Sequence, residues 1–117
     1  MRSDFNSYKT GLRAEFIARM FLRFRGYKIL CNRYITGKNT NRAEIDIIAR
    51  RGNAIVFIEV KSRPTLDAGW QAITTHQAVR LRCAAETYLM KRQWRGSARF
   101  DVIIVCGWRV HWAKNVI

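Results

Sequence analysis

The sequence predicts an α/β fold in which helices flank a mixed central sheet. Two observations carry that expectation. Apolar residues recur at three- and four-residue steps near the N-terminus and again beyond residue 67, the period of an amphipathic helix. Between and after those segments, β-branched apolar runs are separated by short polar or Gly-containing breaks. The implied order is helix, three strands, helix, two strands, which a layer of helices packed on a sheet accommodates.

From Ser3 to Arg25, the residues Tyr8, Leu12, Phe16, Ile17, Met20, Phe21 and Phe24 mark the apolar stripe of the first helix, which Gly26 ends. Gly11 and Glu15 fall just beside that stripe, where a carboxylate can look into a cleft. Tyr27 to Ile35 reads as a strand, followed by the polar, cationic loop Thr36-Gly37-Lys38-Asn39-Thr40-Asn41. Ala43 to Arg50 and Ala54 to Lys61 are joined across Arg51-Gly52-Asn53 and should pair as an antiparallel hairpin, with Pro64 closing the second run. Between Asp67 and Gln93 the spacing of Ile73, Ala78, Leu81, Ala85, Tyr88 and Leu89 is helical again. Arg99 to Cys106 and Trp108 to Ala113, split by Gly107, supply the last two strands.

A chain of 117 residues fits one domain, 1–117, able to bury a core without disulfides or a structural metal. Its one Pro and seven Gly are scattered, so nothing reads as a linker or repeat. No apolar run reaches the ~18 residues of a membrane span, and the N-terminus lacks a signal-peptide stretch, so a cytoplasmic protein with no membrane partner is expected. Cys31, Cys83 and Cys106 show no CxxC pairing and His76 and His111 stand far apart, which supports neither a disulfide framework nor a zinc site. The cysteines are expected to be small buried hydrophobes. Trp70, Trp94, Trp108 and Trp112 are expected in the core or an interface rather than as platforms for bases.

Twenty-two Lys and Arg against eight Asp and Glu leave a formal charge of +14, with a pI near 10.9. Sixteen of those cations are Arg, which favours bidentate phosphate contacts. The balance points to nucleic acid as partner, although charge alone also fits incidental binding of polyanions.

Against that background, Glu44, Asp46 and Glu59 lie in or beside apolar strands, where a carboxylate is costly unless paired with a cation or bound to a metal. Strand alternation points Glu59 and Lys61 the same way, as it does Glu44 and Asp46. In the natural hairpin register Asp46 comes close to Glu59. Two carboxylates, a main-chain carbonyl and waters suit a hard divalent ion, Mg²⁺ or Mn²⁺, which lowers the pKa of a bound water and orients a phosphate. Lys61 could then hold or deprotonate that water and stabilise the transition state. Glu44 shares the face of Asp46, so a second ligand and a solvated carboxylate both remain open for it. Asp101 is expected to pair with Arg99 or another Arg of the sheet. Lys38, Arg42 and Arg63 are the expected phosphate contacts.

Asp46, twelve intervening residues and then Glu59-Val60-Lys61 resemble the D…(D/E)XK signature of the restriction-endonuclease-like superfamily. More closely, Gly11-x-x-Ala14-Glu15, Glu44-Ile45-Asp46-Ile47-Ile48-Ala49, Val56-Phe57-Ile58-Glu59-Val60-Lys61-x-Arg63 and Arg99-Phe100-Asp101-Val102 resemble the YraN-like family of predicted bacterial endonucleases. Ala43 stands where that family often has Gly, and His76-Gln77 where it often has an early helical Lys. The resemblance implies a restriction-endonuclease-like core, a divalent-metal site at Asp46 and Glu59, Glu15 and Lys61 as further catalytic members, and DNA cleavage. It also implies a place for Gln77, similar to a helix-borne polar residue that lines the cleft of related nucleases. Holliday-junction resolvases share this layout of a helix-borne Glu followed by D…EVK, so branched or damaged DNA is the substrate expected. A non-catalytic nucleic-acid-binding module on the same fold is the alternative, and four intact site residues argue against it because acids repel phosphate. An RNA-binding reading is disfavoured by the lack of an aromatic RNA-binding motif. One small chain presents one site, so cutting both strands of a duplex calls for a homodimer or two encounters.

Overall fold

The computed structural model describes residues 2–37 and 42–116. Its elements run α1 (Arg2–Phe24), β1 (Lys28–Thr36), β2 (Ala43–Arg51), β3 (Ala54–Ser62), α2 (Leu66–Gln71), α3 (Thr75–Lys91), β4 (Ser97–Cys106) and β5 (Arg109–Ala113). The five strands form one sheet in the order β1-β2-β3-β4-β5. All neighbours are antiparallel except β3 and β4, so the sheet is mixed, as expected. The connections dictate that pattern. Arg51 pairs with Ala54 across a two-residue turn in which Gly52 takes φ +59, a conformation that favours glycine, and so tight a turn can only reverse the chain. The parallel β3–β4 pair needs a crossover, and α2 and α3 supply it.

Helices cover the two faces separately. Ala14, Ala18 and Leu22 of α1 pack with Ile47, Ala49, Val56, Ile58, Val60, Ile103 and Val105. Leu81, Ala84, Ala85 and Tyr88 of α3 pack with Ala43, Ile45, Ile48, Ile55 and Phe57 on the other face. Ile45 therefore lies under α3 while Ile47, two residues on, lies under α1. The alternation of β2 slips once between them, at Asp46.

Several expectations need correction. The α1 stripe is rotated: Tyr8, Leu12, Phe16 and Phe24 are exposed, at 59%, 39%, 55% and 83%, whereas Ala14, Ala18 and Leu22 are fully buried. Small side chains let the helix axis approach the sheet closely, and bulky ones are turned outward. The single helix expected from Asp67 to Gln93 is two, because Thr65 and Thr74 each cap a helix N-terminus, accepting from the N–H of Ala68 and Gln77 at 3.1 Å. Within α2, Gly69 leaves room for Ile104 of β4, and a Cβ there would stand 2.5 Å from Ile104 Cγ2. Cysteines are not core residues: Cys83 is exposed and Cys31 and Cys106 are half-buried, since the buried face of α3 is taken by Leu81, Ala84, Ala85 and Tyr88. Trp108 is 83% exposed, stacked under the Arg13 guanidinium at the β4–β5 turn, and Trp70 is exposed as well. Among the described residues no helix is long and apolar enough to cross a membrane.

Candidate functional site

The β2–β3 ladder runs from Arg51↔Ala54 to Ile47↔Ile58, and one step further the same register sets Asp46 opposite Glu59. At that step Asp46 Oδ2 accepts the main-chain N–H of Val60 at 2.8 Å, so the side chain satisfies a group of β3 at the end of the ladder. Burial, followed by the negative charge of Glu59, pushes the Asp46 carboxyl up to about 8; the Val60 N–H acts in the opposite sense, and the charge of Glu15 adds to the rise.

Glu59 is buried at 5% exposure. Its Oε2 accepts from Gln77 Nε2 at 2.8 Å and meets Lys61 Nζ at 3.0 Å, while its Oε1 is buried with no hydrogen-bond partner among the described residues. Alternation along β3 points Glu59 and Lys61 to the α3 side, which is why Gln77, three residues past the Thr74 cap, reaches Glu59. Asp46, Glu59 and Lys61 thus lie together, as strand alternation and hairpin register lead one to expect, and Gln77 joins them from α3.

Glu15 approaches from α1 and is engaged by Arg33, which donates through Nε and Nη2 at 3.2 and 3.4 Å. Sequence reasoning missed Arg33. It stands between the pairs Asn32↔Ile47 and Tyr34↔Ile45, hence opposite Asp46, and has φ +57, a strained conformation for a residue with a side chain. Nothing in the sequence announces a non-Gly residue there. A signal for the start of α3 did exist: Thr74-x-x-Gln77 has the capping-box pattern, although Gln77 reaches Glu59 rather than back to the cap.

The remaining candidates lie apart. Arg42 is exposed and pairs with Glu44 at 3.5 Å, which makes Glu44 a partly solvated ion-pair member. Arg63 is exposed, with Nη1 on the Ser62 carbonyl at 2.7 Å, and Lys38 lies outside the described residues. Asp101, fully buried, accepts from Arg99, from Trp112 Nε1 at 2.8 Å and from the N–H of Asn115 at 2.9 Å, and Arg99 also donates to Tyr27 at 2.9 Å. It is a structural clamp, as expected.

Among the described residues no group of three or more His, Cys, Asp and Glu side chains could hold a metal ion. The carboxylates brought together here are Asp46 and Glu59, with Glu15 tied to Arg33. That set fits a hard cation of the Mg²⁺ class, which uses one or two carboxylates and fills its other positions with water and phosphate oxygens. The orphaned Glu59 Oε1 supplies a buried acceptor for it.

The model of the uncharacterised protein family UPF0102 matches residues 14–105, a span containing all of these groups. Among curated relatives, a UPF0102 protein of Paramagnetospirillum magneticum is 38% identical over 104 residues, covering 87% of this chain and 81% of its own. One of Mesorhizobium japonicum is 39% identical over 112 residues, covering 94% and 85%, and one of Bartonella tribocorum is 38% identical over 112 residues, covering 94% and 82%. On this similarity, which runs through the helix-borne Glu15, the hairpin and β4, the chain belongs to the UPF0102 family.

Proposed function

We propose that this protein is a divalent-metal-dependent nuclease that hydrolyses DNA phosphodiester bonds at Asp46, Glu59 and Lys61, on a restriction-endonuclease-like core. The single observation that carries the reading is the Glu59 Oε1 atom, buried with no donor among the described residues unless the neighbouring Asp46 is protonated, beside that second carboxylate, which burial and charge push towards protonation. Such an arrangement stores unfavourable free energy that a proton or a cation relieves.

Asp46 and Glu59 would hold Mg²⁺ or Mn²⁺. When bound, the ion supplies a Lewis acid and a water of lowered pKa. Gln77 fixes the Glu59 carboxylate through Oε2 and leaves Oε1 free to ligate. Hydrolysis joins a water oxygen to phosphorus and breaks the phosphorus–oxygen bond to the sugar, whose oxygen leaves with a proton. Negative charge grows on the non-bridging oxygens meanwhile. Lys61 Nζ, anchored 3.0 Å from Glu59 Oε2 and largely desolvated, places a positive charge at that point and can orient the attacking water. Arg33 holds Glu15 in place on the α1 side, where its charge acts on Asp46. Exposed Arg42 and Arg63, together with Lys38, are the proposed phosphate contacts, and the +14 charge draws the polyanion in.

The test is cleavage of linear, single-stranded and four-way-junction DNA with Mg²⁺, Mn²⁺ or EDTA, by wild type and by Asp46→Ala, Glu59→Ala and Lys61→Ala. Each substitution is expected to lower turnover at least about a hundredfold while DNA binding survives, since affinity comes from phosphate contacts elsewhere. Wild-type rates in all three variants would refute the assignment. DNA binding with no cleavage under any metal would leave the non-catalytic module.

A further inference from the structure

Beside the proposed site a groove of about 630 Å³ opens between the C-terminal end of β1 and the outward side of α3. Tyr34, Ile35 and Val79 give it an apolar surface, Thr36 adds a hydroxyl, and Arg80 and Lys91 supply positive charge. No acid lines it among the described residues. Arg80 is its most informative member, because its Nε is buried with no hydrogen-bond partner among the described residues. A buried donor on a cation is costly until an acceptor arrives. The same Arg80 also lines a smaller cavity of about 140 Å³ with Arg42 and Gln77, and Gln77 is bonded to Glu59. That cavity, which Glu44 lines as well, connects Gln77 beside Glu59 with Arg80 on the wall of the groove.

We propose that this groove receives an unpaired DNA strand leaving the scissile phosphate, so that the preferred substrate carries unpaired nucleotides next to the cleavage point. The inference rests on the nuclease reading for the identity of the site, but not for the groove's binding chemistry. The volume is that of a small-ligand pocket, enough for one or two nucleotides and too narrow for a duplex, whose paired backbones cannot enter together. Apolar and aromatic side chains accept the faces of unstacked bases, and Arg80 and Lys91 accept the phosphates between them. Paired bases offer no free face, so a blunt duplex gains nothing from this groove.

Cys83, an exposed thiol on the groove's wall, reports occupancy without any substitution. In EDTA, a short oligothymidylate should slow alkylation of Cys83 in the wild-type protein, read by mass spectrometry, and leave Cys31 and Cys106 unchanged; a blunt duplex should not. Arg80→Gln should weaken binding of the oligothymidylate and of a flapped duplex about tenfold and change blunt-duplex affinity less than about twofold. Unprotected Cys83, or equal loss for flapped and blunt DNA, would overturn the groove. Because both measurements exclude metal, they stand apart from cleavage. Protection in a protein that cuts nothing would sink the nuclease and keep the groove, whereas cleavage with no protection would do the opposite.

Discussion

Asp46 can be relieved in two ways, by a proton or by a cation, and the two have opposite signatures. Burial and the charge of Glu59 push its carboxyl up to about 8, far above the ordinary value near 3.9 that it has in the unfolded chain. Between those values the folded protein retains a proton that the unfolded chain has released, so stability falls as pH rises from about 4 to about 8, by at most about 1.4 kcal/mol per pH unit. Asp46→Asn keeps an oxygen for the Val60 N–H and removes the charge. It should flatten that slope and raise the melting temperature at pH 8 in EDTA, and thermal melts across the range would expose an unchanged slope. Metal should act the other way. Millimolar Mn²⁺ should stabilise wild type, by about 2.7 kcal/mol at a hundredfold excess over its Kd, and Asp46→Asn should lose most of that gain. The sequence disclosed Asp46, Glu59 and Lys61 because strand alternation and hairpin register are simple rules. It could not disclose Arg33, which takes a positive φ within β1, nor the slip at Asp46 that turns its carboxylate onto the main chain of β3.

Periodicity located six of the eight elements to within two residues and merged the other two, α2 and α3, into one. A hydrophobic pattern ranks faces by bulk, but α1 docks through Ala14, Ala18 and Leu22 and shows Tyr8, Leu12 and Phe16 to solvent, because closeness of approach decided the packing. The break between α2 and α3 has a different origin, in threonine caps rather than in a change of period. Two elements offer sharp tests. Asp101 ties β4 to β5 and to Asn115, so Asp101→Ala strands Arg99 without its carboxylate and should cost about 3–5 kcal/mol in urea unfolding. A loss under about 1 kcal/mol would mean that the clamp is ornamental. Gly69→Ala drives a methyl into the fully buried Ile104 and should destabilise by about 1–3 kcal/mol, measured in the same way, unless α2 moves off β4 without penalty.

Taken whole, a charge of +14 on 117 residues should make DNA affinity steeply dependent on salt. Each neutralised phosphate contributes roughly −0.9 to the slope of log K against log salt on duplex DNA, so a handful of contacts gives a slope of about −4. Fluorescence titrations at several salt concentrations measure it, and a slope near zero would separate the charge from binding. The single parallel joint between β3 and β4 also imposes an order in time. Asp46 and Glu59 share a hairpin closed by two residues and meet through contacts local in sequence, which form fast. β4, which buries the other side of β3, cannot dock until the crossover has been synthesised and closed. The two acids can therefore meet before β4 and β5 are in place, on an open ribbon in water where their repulsion is screened. Burial of the pair is completed only when the later elements, α3 among them, pack on this hairpin, so under the proposed metal reading the ion binds late in folding.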